Sequence, residues 1–267
     1  MKRRNARAGV RPASPADDSV LTVAVGNTSV FVGIFSARRC VKAFRIEPAQ
    51  LVLLPQKVGT KVTRAAVCSV VPALTPDVVR LIRRTWDIDA DVLSAEANHG
   101  LEIAYRRPAE LGADRVAAAL GARAGNPHRN VIVVDCGTAT TVTALSRDGR
   151  IAGGAILPGA ALWPEALATK TALLPRVILR RPRSAVGRSP QEAIVSGCYY
   201  GQVGAIREIV ARVRTEVFGK EKAVVLGTGG NADLFANEIL FDRIEPRLVL
   251  EGLAAFARRC GAEPVTA

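Results

Sequence analysis

Apolar residues in this chain gather into short runs and alternations that close on glycine. Residues 20–25 run into Gly26-Asn27-Thr28 and the apolar pattern resumes over 29–35, which predicts a strand, a tight turn and a second strand. Residues 64–71 read as a buried strand. Thr75-Pro76-Asp77 then opens an amphipathic helix with Val78, Val79, Ile82 and Trp86 on its apolar face. An alanine-rich helix over 109–123 follows and stops at Asn126-Pro127.

The same order then repeats. Residues 130–135 form an apolar strand that ends in Cys136-Gly137-Thr138. Residues 140–145 and 151–156, separated by Arg147-Asp148-Gly149, complete a three-stranded meander. Ser189-Pro190-Gln191-Glu192 is a capping box with proline at the first helical position, introducing a long helix to about residue 217. A strand over 223–226, a third glycine turn at Gly227-Thr228-Gly229-Gly230, a helix from Asn231 and a closing helix over 248–259 finish the chain. Laying the halves over each other sets Ala24 against Asp135. The expectation is an α/β protein of two lobes, 20–129 and 130–267, with a cleft between them, and with residues 1–19 as a disordered basic extension.

Composition narrows the class. A chain of 267 residues with 49% hydrophobic content buries a large core in one or two domains, and no stretch approaches the ~18 apolar residues that span a bilayer. No membrane is expected. The formal charge of +13 invites a nucleic-acid partner, yet five of the basic residues lie before residue 20, and Arg176, Arg180, Arg181, Arg183 and Arg188 form a run without interleaved aromatics. Nucleic acid is therefore disfavoured, while such a field also attracts small polyanions. Five scattered cysteines with no metal-type spacing point to a reduced, cytoplasmic protein.

The glycine turns carry candidate chemistry, because glycine permits close approach of backbone N–H groups to a phosphate and hydroxyls add donors. Their spacing is neither that of a Walker loop nor that of a dinucleotide fingerprint. Asp135, at a strand end beside Gly137 and Thr138, is placed either to hold a cation or to cap its own turn. Asp114 and Arg115 are either a base and a carboxylate clamp in one pocket or a surface ion pair. His99 and His128 read as ordinary surface residues.

Taken in order, Val25-Gly26-Asn27-Thr28, Tyr105-x-x-Pro108-x-Glu110-Leu111-Gly112-Ala113-Asp114-Arg115 and Asp135-x-Gly137-Thr138-Ala139-Thr140-Thr141 resemble type III pantothenate kinases. Gly153-Gly154-Ala155-Ile156-Leu157-Pro158-Gly159, Ala193-Ile194-Val195-Ser196-Gly197, Thr228-Gly229-Gly230 and Leu250-Glu251-Gly252-Leu253 extend the resemblance over about residues 20–257. It implies two ribonuclease-H-like lobes of the actin-like ATPase fold, working as a homodimer. It also implies phosphorylation of pantothenate by ATP, the first step of coenzyme A synthesis, with magnesium and a monovalent cation, potassium or ammonium.

Carried over by position, the resemblance makes Asp114 the general base and Tyr105, Gly112, Ala113, Asp114 and Arg115 the pantothenate pocket. Asp135 becomes the monovalent-cation ligand, and Gly26, Asn27, Thr28 and Thr138 become phosphate contacts. Three positions depart from the family pattern: Ala24 and Thr143 stand where aspartates are usual, and Pro190 replaces a threonine that reaches pantothenate, there from across the dimer. These departures raise an alternative, a catalytically weakened pantothenate- or nucleotide-binding paralogue with a regulatory role.

Overall fold

The computed structural model describes residues 19–261, so residues 1–18 of the expected basic extension lie outside the described residues, while Ser19 already opens the first strand. The first sheet holds β1 (Ser19–Val25), β2 (Val30–Ser36), β3 (Arg39–Ile46), β4 (Arg64–Ser69) and β5 (Ala90–Leu93) in the order β3-β2-β1-β4-β5. Strands β1, β2 and β3 pair antiparallel, while β1, β4 and β5 pair parallel. Helices α1 (Leu54–Val58) and α2 (Thr75–Trp86) lie along this half of the chain.

The second sheet repeats the plan. Strands β7 (Asn130–Cys136), β8 (Ala139–Leu145) and β9 (Arg150–Pro158) form the antiparallel meander, and β10 (Ala223–Thr228) and β11 (Arg243–Ile244) add parallel to β7. Read from its meander edge, the order β9-β8-β7-β10-β11 matches that of the first sheet strand for strand. The short β6 (Glu102–Ile103), which precedes this half in sequence, pairs parallel to the outer edge of β9.

Alternation sends each central strand into two cores, because successive side chains leave opposite faces. Val67 of β4 and Ile132 and Val134 of β7 enter two outer cores, one per sheet. Ala66 and Cys68 of β4 and Val131 and Val133 of β7 enter one shared inner core. That inner core is filled by α3 (Ala113–Gly125) and α6 (Leu248–Cys260).

The two helices cross at close range. A Cβ on Gly121 would stand 2.2 Å from the Leu248 carbonyl oxygen, and one on Gly252 would stand 1.8 Å from that of Ala117. Neither position tolerates a side chain without the helices moving apart.

Several boundaries differ from expectation for local reasons. Pro108–Glu110 forms a separate 3-10 turn, and Gly112 is the N-cap of α3, so the helix starts at Ala113 and not at residue 109. Helix α5 (Pro190–Val213) passes into a π-helical turn at Arg214–Phe218, and the segment after Asn231 is a 3-10 helix, Ala232–Glu238. Ser189 does cap α5, accepting from the Glu192 backbone N–H at 3.2 Å; the Glu192 carboxylate reaches one residue further back, to the N–H of Arg188 at 2.7 Å. His99, expected on the surface, is 5% exposed, with Nε2 3.2 Å from the Ala95 carbonyl and Nδ1 accepting from the Leu101 N–H. All five cysteines are free thiols, and among the described residues no helix is long and apolar enough to cross a membrane.

The helix crossing yields a direct test. Overpacking a tight contact costs ~1–3 kcal/mol, and in a protein of this size each kcal/mol moves the thermal midpoint by about 2–4 °C. Gly252→Ala should therefore lower the midpoint by about 2–12 °C, and an unchanged melt would refute the close crossing.

Candidate active site

The C-terminal ends of the central strands β1 and β7 meet at a cleft of about 630 Å³. Each strand delivers its glycine turn there. In the first, the Gly26 N–H donates to Ser29 O at 3.0 Å; in the second, the Gly137 N–H donates to Ala139 O at 3.1 Å. The hydroxyls of Thr28 and Thr138, one from each turn, lie 3.0 Å apart. The duplicated turns thus face each other, and the third, Thr228-Gly229-Gly230, closes the second-sheet side.

Helix α3 brings the acid. Asp114 lies in its first turn, where the partial positive charge of the helix start favours a carboxylate. Its Oδ1 accepts the Arg115 backbone N–H at 2.8 Å. The carboxylate folds back over Gly112, where a Cβ would stand 2.5 Å from Oδ1, so any side chain at 112 displaces the acid. Burial raises the Asp114 pKa, against the lowering effect of the Arg115 N–H and guanidinium.

Asp135 is the second acid, one residue from the end of β7. Burial, and then the negative charge of Asp114, push its pKa up to about 6, while Arg45 pulls it down. The negative charge of Asp114 thus raises the cost of ionising Asp135, and both acids line the cleft with the hydroxyls of Thr28 and Thr138.

Arg115 takes a different direction from Asp114. It is 6% exposed and reaches across to the second sheet, where Nε donates to Thr143 Oγ1 at 2.9 Å, Nη2 to the Val142 carbonyl at 3.1 Å and Nη1 to the Tyr105 hydroxyl at 2.5 Å. The surface ion-pair alternative is ruled out by this burial. Arg115 fixes Tyr105 at the mouth of the cleft and ties α3 to β8.

Of the residues singled out in the sequence, Gly26, Asn27, Thr28, Tyr105, Gly112, Asp114, Arg115, Asp135 and Thr138 all line the cleft. Ala113 does not; it packs against the inner core. Ala24 lines the cleft, Thr143 sits behind its wall as the acceptor for Arg115, and Pro190 is exposed at the start of α5. The sequence reading missed Arg45, which enters the cleft from β3.

A larger hollow of about 890 Å³ lies at the opposite, N-terminal ends of β7 and β10, with a strongly basic lining that includes Arg129, Arg214, Lys220 and Lys222. Its two acids are already engaged, Glu221 by Asn130 and Arg147 and Asp242 by the Val225 N–H. None of the site residues expected from the sequence lines it.

Solved structures share the two-lobed architecture. A Baf family protein from Campylobacter jejuni aligns at a TM-score of 0.60 and 19% identity, over 91% of this chain and 100% of that one. A ROK family glucokinase from Streptomyces griseus aligns at 0.51 and 14% identity, over 90% and 99%. The fold is that of the actin-like ATPases and sugar kinases.

The sequence comparison is narrower. A family model described as type III pantothenate kinase matches residues 20–212. A type III pantothenate kinase from Legionella pneumophila (strain Corby) is 38% identical over 248 residues, covering 88% of this chain and 96% of the relative. One from Dehalococcoides mccartyi (strain ATCC BAA-2266 / KCTC 15142 / 195) is 36% identical over 250 residues, with the same coverages. The chain belongs to the type III pantothenate kinase family, and it is a phosphotransferase.

Asp135 provides a test of the cleft electrostatics that needs no substrate. Its folded-state pKa of about 6 lies above the ordinary carboxylate value of ~3.9. Its contribution to stability is therefore full below about pH 4 and is lost as pH rises through about 6. At about 1.4 kcal/mol per pKa unit, the ionised carboxylate costs on the order of 2–3 kcal/mol at pH 8. Asp135→Asn should raise the thermal midpoint by several degrees at pH 8 and leave it unchanged at pH 4. An equal shift at both pH values would contradict this assignment.

Proposed function

We propose that this protein phosphorylates pantothenate with ATP to give 4′-phosphopantothenate and ADP, the first step of coenzyme A synthesis. The observation that carries this reading is the position of Asp114, an acid of raised pKa at a helix start, facing two opposed glycine turns. Raising a carboxylate pKa by burial moves it toward the range of an effective proton acceptor at neutral pH.

In this reading Asp114 takes the proton of the pantothenate hydroxyl as its oxygen attacks the γ-phosphorus and ADP departs. Tyr105, held by Arg115, and the backbone at Gly112 and Ala113 border the pantothenate pocket. Gly26, Asn27, Thr28 and Thr138 receive the phosphates, positioning being most of what phosphoryl transfer requires of a protein. Magnesium would supply positive charge to the phosphates, and the hydroxyls of Thr28 and Thr138 would present oxygen donors on that side of the cleft. We assign Asp135 to a monovalent cation, potassium or ammonium, because at pH 7 it is ionised and Arg45 offsets it only from the opposite wall of the cleft.

A homodimer in the cytoplasm completes the reading. The segment between α4 (Leu162–Lys170) and α5 carries Leu173, Ile178 and Val186, which are 92%, 88% and 73% exposed, an apolar set suited to a second copy. Five free thiols fit a reducing compartment.

Two measurements test these assignments. Pantothenate-dependent ADP release should be stimulated by potassium or ammonium over sodium. Asp114→Asn should lower kcat on the order of 100-fold or more with little change in KM, since a base acts in the transition state. Absence of product above that variant would sink the kinase reading. In light scattering, Leu173→Asp with Ile178→Asp should convert a dimer to a monomer, and an unchanged dimer would move the interface elsewhere.

A further inference from the structure

The cleft is walled by two rows of side chains that the duplication makes equivalent. In the second sheet the row is Asp135, Thr141 and Ile156, directly paired across β7, β8 and β9. In the first sheet the corresponding row is Ala24, Phe31 and Arg45, paired across β1, β2 and β3. Directly opposed residues in antiparallel strands put their side chains on one face, and all six residues line the cleft. The second row therefore carries its charge on the central strand as an acid. In the first row the central position is a methyl group, and the charge is a cation on the edge strand.

Arg45 is exposed, but its side chain lies along the cleft wall. Its guanidinium carbon lies 3.9 Å from the centroid of the Phe31 ring, over the residue next to Ala24. Nη1 donates to the Ser29 hydroxyl at 3.3 Å, at the foot of the Gly26-Asn27-Thr28 turn. Its charge reaches across the cleft to Asp135, and no carboxylate forms an ion pair with it among the described residues. A guanidinium parked on an aromatic face is oriented before any ligand arrives, and its free N–H groups match phosphate oxygens in pairs.

We propose that Arg45 is a phosphate-binding residue of the nucleotide subsite, supplying positive charge to the ATP phosphates directly from the first lobe, where Ala24 provides no acid to recruit a cation. The inference rests on the kinase reading above and adds to it a specific consequence. Part of the nucleotide affinity of this chain is independent of divalent metal.

The experiment is ATP binding by calorimetry, with EDTA and with magnesium, using adenosine as the phosphate-free control. Wild type should bind ATP in EDTA. Arg45→Ala should weaken that binding by on the order of 10- to 100-fold, the effect of losing a charged hydrogen bond, and leave adenosine binding unchanged. Arg45→Lys should recover part of the loss. Ala24→Asp should also weaken metal-free binding, by setting a carboxylate beside the guanidinium, and should cost nothing further in an Arg45→Ala background. Thermal melts of each variant verify that it is folded.

If wild type phosphorylates pantothenate and folded Arg45→Ala binds ATP as wild type does under both conditions, the role of Arg45 is overturned and the kinase reading stands. If adenosine binding falls in parallel with ATP, the residue shapes the site and does not contact phosphate, which also overturns the proposal. If wild type binds ATP under neither condition, the kinase reading fails, and this inference with it.

Discussion

Helices α3 and α6 cross where two glycines remove the side chains that would hold them apart, and the position of the cleft acid follows from that contact. Gly121 lies under the Leu248 carbonyl and Gly252 over that of Ala117, so backbone meets backbone. The same helix pair fills the inner core shared by both sheets. Asp114 and Arg115 stand in the first turn of α3, within one to two turns of the crossing, and Arg115 bolts that turn to β8 through Thr143 and the Val142 carbonyl. The crossing holds α3 from one side and Arg115 holds its first turn from the other, so core packing and the cleft share one element.

Much of this architecture was legible in the sequence wherever local pattern and tertiary role coincide. The central strands β1, β4, β7 and β10 are mostly apolar runs because they are buried on both faces, and glycine turns mark the ends of β1, β7 and β10. Ser189 announced α5 because a cap is a local device. Asp114, Asp135 and the turn residues were found for the same reason: each belongs to a compact motif.

What the sequence concealed depends on distant partners. Strand β3 is a mostly exposed edge strand, Arg39–Ile46, with only Ile46 buried, so it lacks the alternation that reveals a strand, and Arg45 was lost with it. Gly121 and Gly252 sit within helical patterns where glycine is merely unfavourable, and their use appears only when segments 131 positions apart are brought together. His99 looked exposed in a polar stretch, yet the chain folds around its ring so that both nitrogens face backbone groups. The separate directions of Asp114 and Arg115 were likewise hidden, since adjacency in sequence says nothing about which sheet each side chain meets.

The duplication also explains how the cleft manages charge. Two acids, Asp114 and Asp135, look into the cleft, and the charge of Asp114 makes ionisation of Asp135 more costly. A strictly symmetric pair of lobes would add a third acid at position 24 and deepen that conflict. The first lobe instead holds a methyl group at that position and brings a guanidinium over the neighbouring ring, which lowers the pKa of Asp135 and turns a wall of the cleft from anionic to cationic. With the potential thus graded from positive on the first sheet to negative on the second, phosphates are drawn toward one side. In the reaction we propose, the hydroxyl acceptor would then be left beside the acid on the other, so the asymmetry between duplicated lobes would help to orient the two substrates.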